Sequence, residues 1–152
     1  MSGIIASGGW DDTIQMWDIR APNPIRRIFS PRICGESIDF NDAGTVLLTG
    51  SYRKESPLQL WDWESGKLID TVTWSHDLAQ PLCMVYTAQF SKNNSKDPSK
   101  QNKFIIGGGL LSLYNFLNNI LGSGAVNEVK LFSTETHKVI MRSNNNFLTC
   151  FY

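Results

Sequence analysis

The sequence is poor in the residues that most catalytic and metal chemistry needs. Only 2 histidines and 3 cysteines occur in 152 residues. Cys34, Cys83 and Cys150 form no C-x-x-C pair, so a four-ligand zinc site has little support. An odd, scattered set of thiols reads as buried free cysteines in a reducing, cytoplasmic setting. Excess charge of either sign is also missing, since 14 Lys and Arg balance 14 Asp and Glu. That balance argues against general binding to nucleic acid or an acidic membrane, which requires a basic surplus. No run of 18 apolar residues exists, so no helix is expected to span a bilayer. The opening Met1-Ser2-Gly3-Ile4-Ile5 lacks the basic start and long apolar stretch of a signal peptide. Gly107-Gly108-Gly109 is not followed by Lys-Ser/Thr, which excludes a phosphate loop.

The chain does have 5 tryptophans and 12 glycines, with alternating apolar and polar residues in short runs. Three segments share one pattern: Thr13-Ile14-Gln15-Met16-Trp17-Asp18, Pro57-Leu58-Gln59-Leu60-Trp61-Asp62 and Glu128-Val129-Lys130-Leu131-Phe132-Ser133. Each has the period of two that a half-buried strand requires. Trp17 and Trp61 lie 44 residues apart. Upstream of each segment runs an apolar stretch ending in small residues: Ile4 to Gly8, Val46 to Gly50 and Phe104 to Gly108. Downstream come a turn and a further strand, over 25–29, 67–73 and 138–142. A fourth element, over 36–40 and 85–90, precedes the second and third apolar stretches, and 147–152 reads as another. The unit is four short strands in roughly 44 residues.

A unit of this length whose third strand ends in Trp-Asp resembles the WD-repeat β-propeller family. Ser7 to Asp18 carries the match most fully, Leu48 to Ser51 with Leu58 to Asp62 less so, and Phe132-Ser133 replaces Trp-Asp in the third repeat. The resemblance implies an all-β, incomplete WD-repeat propeller of about three four-stranded antiparallel blades. Its blade pieces fall at 1–31, 32–75, 76–145 and 146–152. Twelve strands are expected, three blades' worth, against the four to eight of a closed ring. The reading is therefore of a partial propeller, or of a fragment of a larger WD-repeat protein. The resemblance also implies a polar network inside the blades, mapped onto Ser7, Asp11 and Trp17 in the first repeat and Thr49 and Trp61 in the second. Gly107 takes the hydroxyl position of the third, where the network is expected to be missing.

Two insertions interrupt the pattern. Residues 92–103 are polar and contain proline, as a surface loop does. In 110–121, Leu110, Leu113, Tyr114, Leu117 and Ile120 recur at helical spacing, which predicts a short amphipathic helix. Two origins stand side by side for that segment: a docking helix, or non-coding sequence translated in error.

Candidate chemistry is sparse. Ser75-His76-Asp77 has the residue types of a hydrolytic triad, but neighbours in sequence cannot form that relay. His137 is expected in a solvated turn. Asp11-Asp12 is explained by the repeat, and Asn93-Asn94-Ser95 is a sequon without a secretory context. No enzyme, cofactor or metal is expected. In propellers of this family partners dock on the face formed by loops joining second to third and fourth to first strands. Carried over, that face holds Trp10, Asp12, Arg32, Tyr52, Arg53, Lys54, Glu55, His76 and Asp77. Trp, Tyr and Arg dominate binding hot spots because they combine apolar area with directional donors. The expected function is a non-catalytic protein–protein interaction scaffold within a multiprotein complex. The expected alternative is a blade array completed by another copy or another chain, through self-association of its unclosed ends.

Overall fold

The structure, a computed structural model, describes residues 3–53, 55–74, 84–91, 104–110, 128–133 and 135–143. Among these residues every regular element is a β-strand, and none is a helix. The described residues form eleven strands in three antiparallel sheets, in chain order. The first sheet is β1 (Ile4–Gly8), β2 (Thr13–Asp18) and β3 (Arg26–Phe29). The second is β4 (Ile38–Phe40), β5 (Val46–Gly50), β6 (Leu58–Asp62) and β7 (Lys67–Val72). The third is β8 (Met84–Phe90), β9 (Phe104–Leu110), β10 (Glu128–Ser133) and β11 (Val139–Ser143). Neighbours in each sheet are neighbours in sequence, the simplest antiparallel meander.

The alternation that marks the strands in the sequence also sets their faces. In β2, Ile14 and Met16 are fully buried while the intervening Thr13, Gln15 and Trp17 are half-buried. Pairing Ile5 with Trp17 and Thr49 with Gln59 fixes which residues share a side. The second sheet lies between the other two and is buried on both faces, so β6 is buried at four consecutive positions. One of its faces, with Leu47 and Trp61, packs on Ile14, Met16, Ile28 and Ile33 of the first sheet and its exit. The other, with Leu48, Leu58, Leu60 and Val72, packs on Val85, Ala88, Phe90 and Phe132 of the third. Burying a large aliphatic or aromatic side chain contributes about 1.5–3 kcal/mol, so these two layers carry most of the cohesion.

Glycines at the ends of β1 and β5 set the spacing between sheets. A Cβ on Gly8 would meet Ile33 Cγ1 at 2.7 Å and Ile38 Cδ1 at 2.8 Å. One on Gly50 would meet Val85 Cγ1 at 2.6 Å. The two occupy equivalent register positions, paired with Ile14 and Leu58.

The structure departs from the sequence reading in several places. The helix expected over 110–121 does not begin at Leu110, which is the last residue of strand β9. Residues 111–121, the loop 92–103 and the strand expected over 147–152 lie outside the described residues. The element expected over 36–40 shortens to Ile38–Phe40, because Gly35 and Glu36 lie in a bend. Cys34, expected to be buried, is only half-buried. Three register shifts, at Leu60/Trp61, Val85/Thr87 and Leu131/Phe132, interrupt the regular alternation.

Candidate functional site

Three connections gather on one side of the first and second sheets: the β1–β2 turn, the β3–β4 link and the β5–β6 loop. Backbone bonds hold them together. Ile33 N donates to Gly9 O at 2.9 Å, Ser30 N to Asp12 O at 3.0 Å and Tyr52 N to Arg32 O at 2.8 Å. Arg32 N donates to Ser51 Oγ at 2.9 Å. The link therefore lies between the two loops and is tied to both.

Asp12 is the hub of this cluster. Its φ of 59° places it in the left-handed region, which Asp tolerates better than most residues because its short side chain bonds locally. Arg32 donates to it twice, Nε to Oδ1 at 2.7 Å and Nη2 to Oδ2 at 3.0 Å. Arg53 Nη2 reaches Asp12 Oδ2 at 2.6 Å. The paired donation from one guanidinium is the geometry in which arginine holds a carboxylate most firmly. The Arg32 hydrogen bonds, supported by Arg53, hold the Asp12 carboxyl below its ordinary value against partial desolvation. Arg32 in turn is shifted up by Asp12. These groups are too exposed for their ion pairs to contribute much stability.

Beside the ion pairs, the rings of Trp10 and Tyr52 meet at 5.8 Å between centroids with a tilt of 57°. Trp10 is 63% exposed. A shallow cleft of about 270 Å³ opens next to Arg53, lined by Ser30, Glu55 and Ser56. A larger one, about 420 Å³, runs from Trp10 along Gly9, Ser7 and Gln15.

Five of the residues assigned to the docking face in the sequence, Trp10, Asp12, Arg32, Tyr52 and Arg53, thus stand together, with Glu55 exposed at the margin. Lys54, His76 and Asp77 lie outside the described residues. The network residues divide differently. Trp17 Nε1 donates to Ser7 Oγ at 2.9 Å, and Trp61 Nε1 donates to Thr49 Oγ1 at 3.0 Å. Asp11 does not join Ser7 and Trp17. Its carboxylate accepts from Thr13 N at 3.3 Å and Thr13 Oγ1 at 2.7 Å, capping the turn into β2. The reason is reach: the short side chain bonds two residues ahead before it can cross the strand.

Two polar contacts escaped the sequence reading. Lys130 is buried at 3% exposure, where its Nζ donates to Trp74 O at 2.6 Å and lies 5.0 Å from the centre of the Trp74 ring. A buried lysine in a strand is rare, but alignment of the repeats offers a signal. Lys130 holds the register position of Gln59, which is buried too. His137 lies against the Asp70 carboxylate, joining the β10–β11 turn to β7, and so does more than occupy a solvated turn.

Among the described residues no cluster of three or more His, Cys, Asp or Glu could hold a metal ion. No family model matches the chain, and no curated protein matches it.

Proposed function

We propose that this chain is a non-catalytic protein–protein interaction scaffold, a segment of a WD-repeat propeller that docks partners through the loop cluster around Asp12. One observation carries this reading: an exposed Trp10 stands against Tyr52 beside two arginines fixed on one carboxylate. The ion pairs pre-order Arg32 and Arg53, so less side-chain entropy is lost when a partner arrives. An exposed tryptophan with an aromatic neighbour supplies the apolar anchor that hot spots need. The partner in this reading is another protein, in a cytoplasmic multiprotein complex, and no cofactor takes part.

The test is a quantitative binding assay on partners cross-linked to the full chain. Trp10→Ala combined with Tyr52→Ala is expected to weaken their binding while leaving the circular dichroism spectrum intact. Undiminished binding by the folded double variant would remove this face from consideration. A second reading, an array completed by another copy or chain, is favoured by a separate observation: the first sheet leaves one face uncovered by any described residue.

A further inference from the structure

The chain holds two Ser-Pro pairs, and both sit in one pattern: Arg27-Ile28-Phe29-Ser30-Pro31 and Arg53-Lys54-Glu55-Ser56-Pro57. In each, an arginine stands three residues before the serine. No other serine or threonine of the sequence has an arginine at that distance. The fold brings the two together. Ser30 follows β3 and Ser56 lies in the β5–β6 loop, and both line the cleft of about 270 Å³ with Arg53 and Glu55. Both serines are exposed, whereas Pro31 and Pro57 are buried. Both also have positive φ, 108° and 49°. With Asp12 they make up three of the four non-glycine residues in that region among the described residues. Such conformations are strained for most side chains and cluster where a segment has a task beyond packing.

The two serines differ in their arginines. Arg53 is held by Asp12. Arg27 is exposed. Its place on the outer strand stays open even in a sheet packed on both faces: Thr71 pairs with Gln59 as Arg27 pairs with Gln15, and Thr71 is only half-buried. Ser30 therefore has its arginine open to a visiting enzyme, and Ser56 does not.

We propose that Ser30 is a phosphoacceptor for an arginine-directed protein kinase, which selects its substrate by charge three residues before the acceptor. A proline-directed enzyme fits less well, because Pro31 is fully buried. In the transfer the Ser30 Oγ attacks the γ-phosphorus of ATP. An O–P bond forms, the bond to the β-phosphate oxygen breaks, ADP leaves, and the hydroxyl proton passes to the kinase's catalytic carboxylate. Phosphoserine brings about −1.5 to −2 charges and strong acceptor oxygens into a cleft that Arg53 lines. Arg53 is the guanidinium placed to change partner, since it makes one contact with Asp12 and Arg32 makes two. The phosphate draws Arg53 from Asp12 and repels Glu55, which lines the same cleft. The docking face then loses one ordered arginine and gains negative charge. That consequence rests on the function proposed above; the acceptor site does not.

The folded full chain, incubated with magnesium, ATP and the catalytic subunit of cyclic-AMP-dependent protein kinase, tests the site. One phosphate is expected, mapped to Ser30 by peptide mass spectrometry. Arg27→Ala is expected to lower kcat/KM by about tenfold or more, the loss of one charge-assisted contact. Circular dichroism checks its fold, and Arg27→Gln replaces it should the alanine variant unfold. Phosphorus NMR then follows the phosphate's own titration, whose midpoint is expected to lie higher in Arg53→Ala than in the wild type. A folded chain without phosphate on Ser30, transfer to Ser56 in its place, or a rate indifferent to Arg27 overturns the acceptor. Equal phosphate titrations with and without Arg53 overturn the exchange of partners. Undiminished binding by the Trp10→Ala, Tyr52→Ala variant would remove the docking consequence and leave the Ser30 acceptor standing.

Discussion

The first and second sheets repeat one another, yet the same bond lives in two different environments. Trp61 donates to Thr49 in a buried setting, between a sheet on one side and a sheet on the other. Trp17 donates to Ser7 with one side open. Bond lengths are nearly equal, 3.0 Å and 2.9 Å, so geometry does not separate them. Environment does. A buried donor that loses its acceptor costs its full desolvation, whereas an exposed one turns to water. Local sequence therefore specifies the bond, and the neighbouring sheet decides what it is worth.

The largest contrast is apolar. Leu47→Ala is expected to destabilise by about 2–5 kcal/mol, because it opens a cavity between sheets. Ile5→Ala, at the matching position of the first sheet, is expected to fall within about 0.5 kcal/mol. Denaturant unfolding measures both, and equal losses would break the comparison.

Next in size is the bond itself. Thr49→Val keeps the shape but strands the Trp61 indole N–H, an expected loss of about 1–3 kcal/mol in urea unfolding. Ser7→Ala at the equivalent site is expected to change stability by about 0.5 kcal/mol or less. Ser37, at the boundary of the second and third sheets, runs the other way. Its Oγ is buried without a partner among the described residues. Ser37→Ala is expected to raise stability by about 1 kcal/mol, seen as a higher midpoint at unchanged slope.

The smallest expected effect is electrostatic and concerns the aspartates that end β2 and β6. Arg20 hydrogen bonds lower the Asp18 carboxyl from 3.8 to about 2, and the Ser65 backbone N–H lowers that of Asp62. A carboxyl held lower when folded than when unfolded stabilises above its ordinary range. That contribution fades as the pH falls below about 5 and is gone once the folded group protonates. Acid titration of the urea midpoint should therefore show a decline. Asp18→Asn should flatten it, and added salt should shrink the Asp18 share, because the pair with Arg20 is exposed.

Much of this architecture was legible in the chain because period two is a geometric fact about strands. Ile14 and Met16 announce one face and Trp17 the other before any coordinate is known. The repeat also placed Trp10, Asp12, Tyr52 and Arg53 on corresponding loops, which is why Trp10 and Tyr52, 42 residues apart in sequence, could be grouped. What alternation cannot reveal is where it breaks. The bulge at Leu60/Trp61 follows from twist and cross-strand fit, not from residue type. Nor could it separate Asp11, which turns to Thr13, from Asp12, which takes two arginines. Their difference lies in a positive φ that aims one carboxylate across the loops. Lys130 was hidden because a charged residue in a strand is ordinarily read as facing water.

That lysine has a use in the laboratory. Its ammonium is shut between the second and third sheets by the Trp74 carbonyl and ring. Amine-acylating reagents will modify surface lysines such as Lys67 and Lys138 quickly and Lys130 only when the sheets part. The rate at which mass spectrometry finds the Lys130 peptide labelled is thus a clock for that opening, with no mutation and no probe attached.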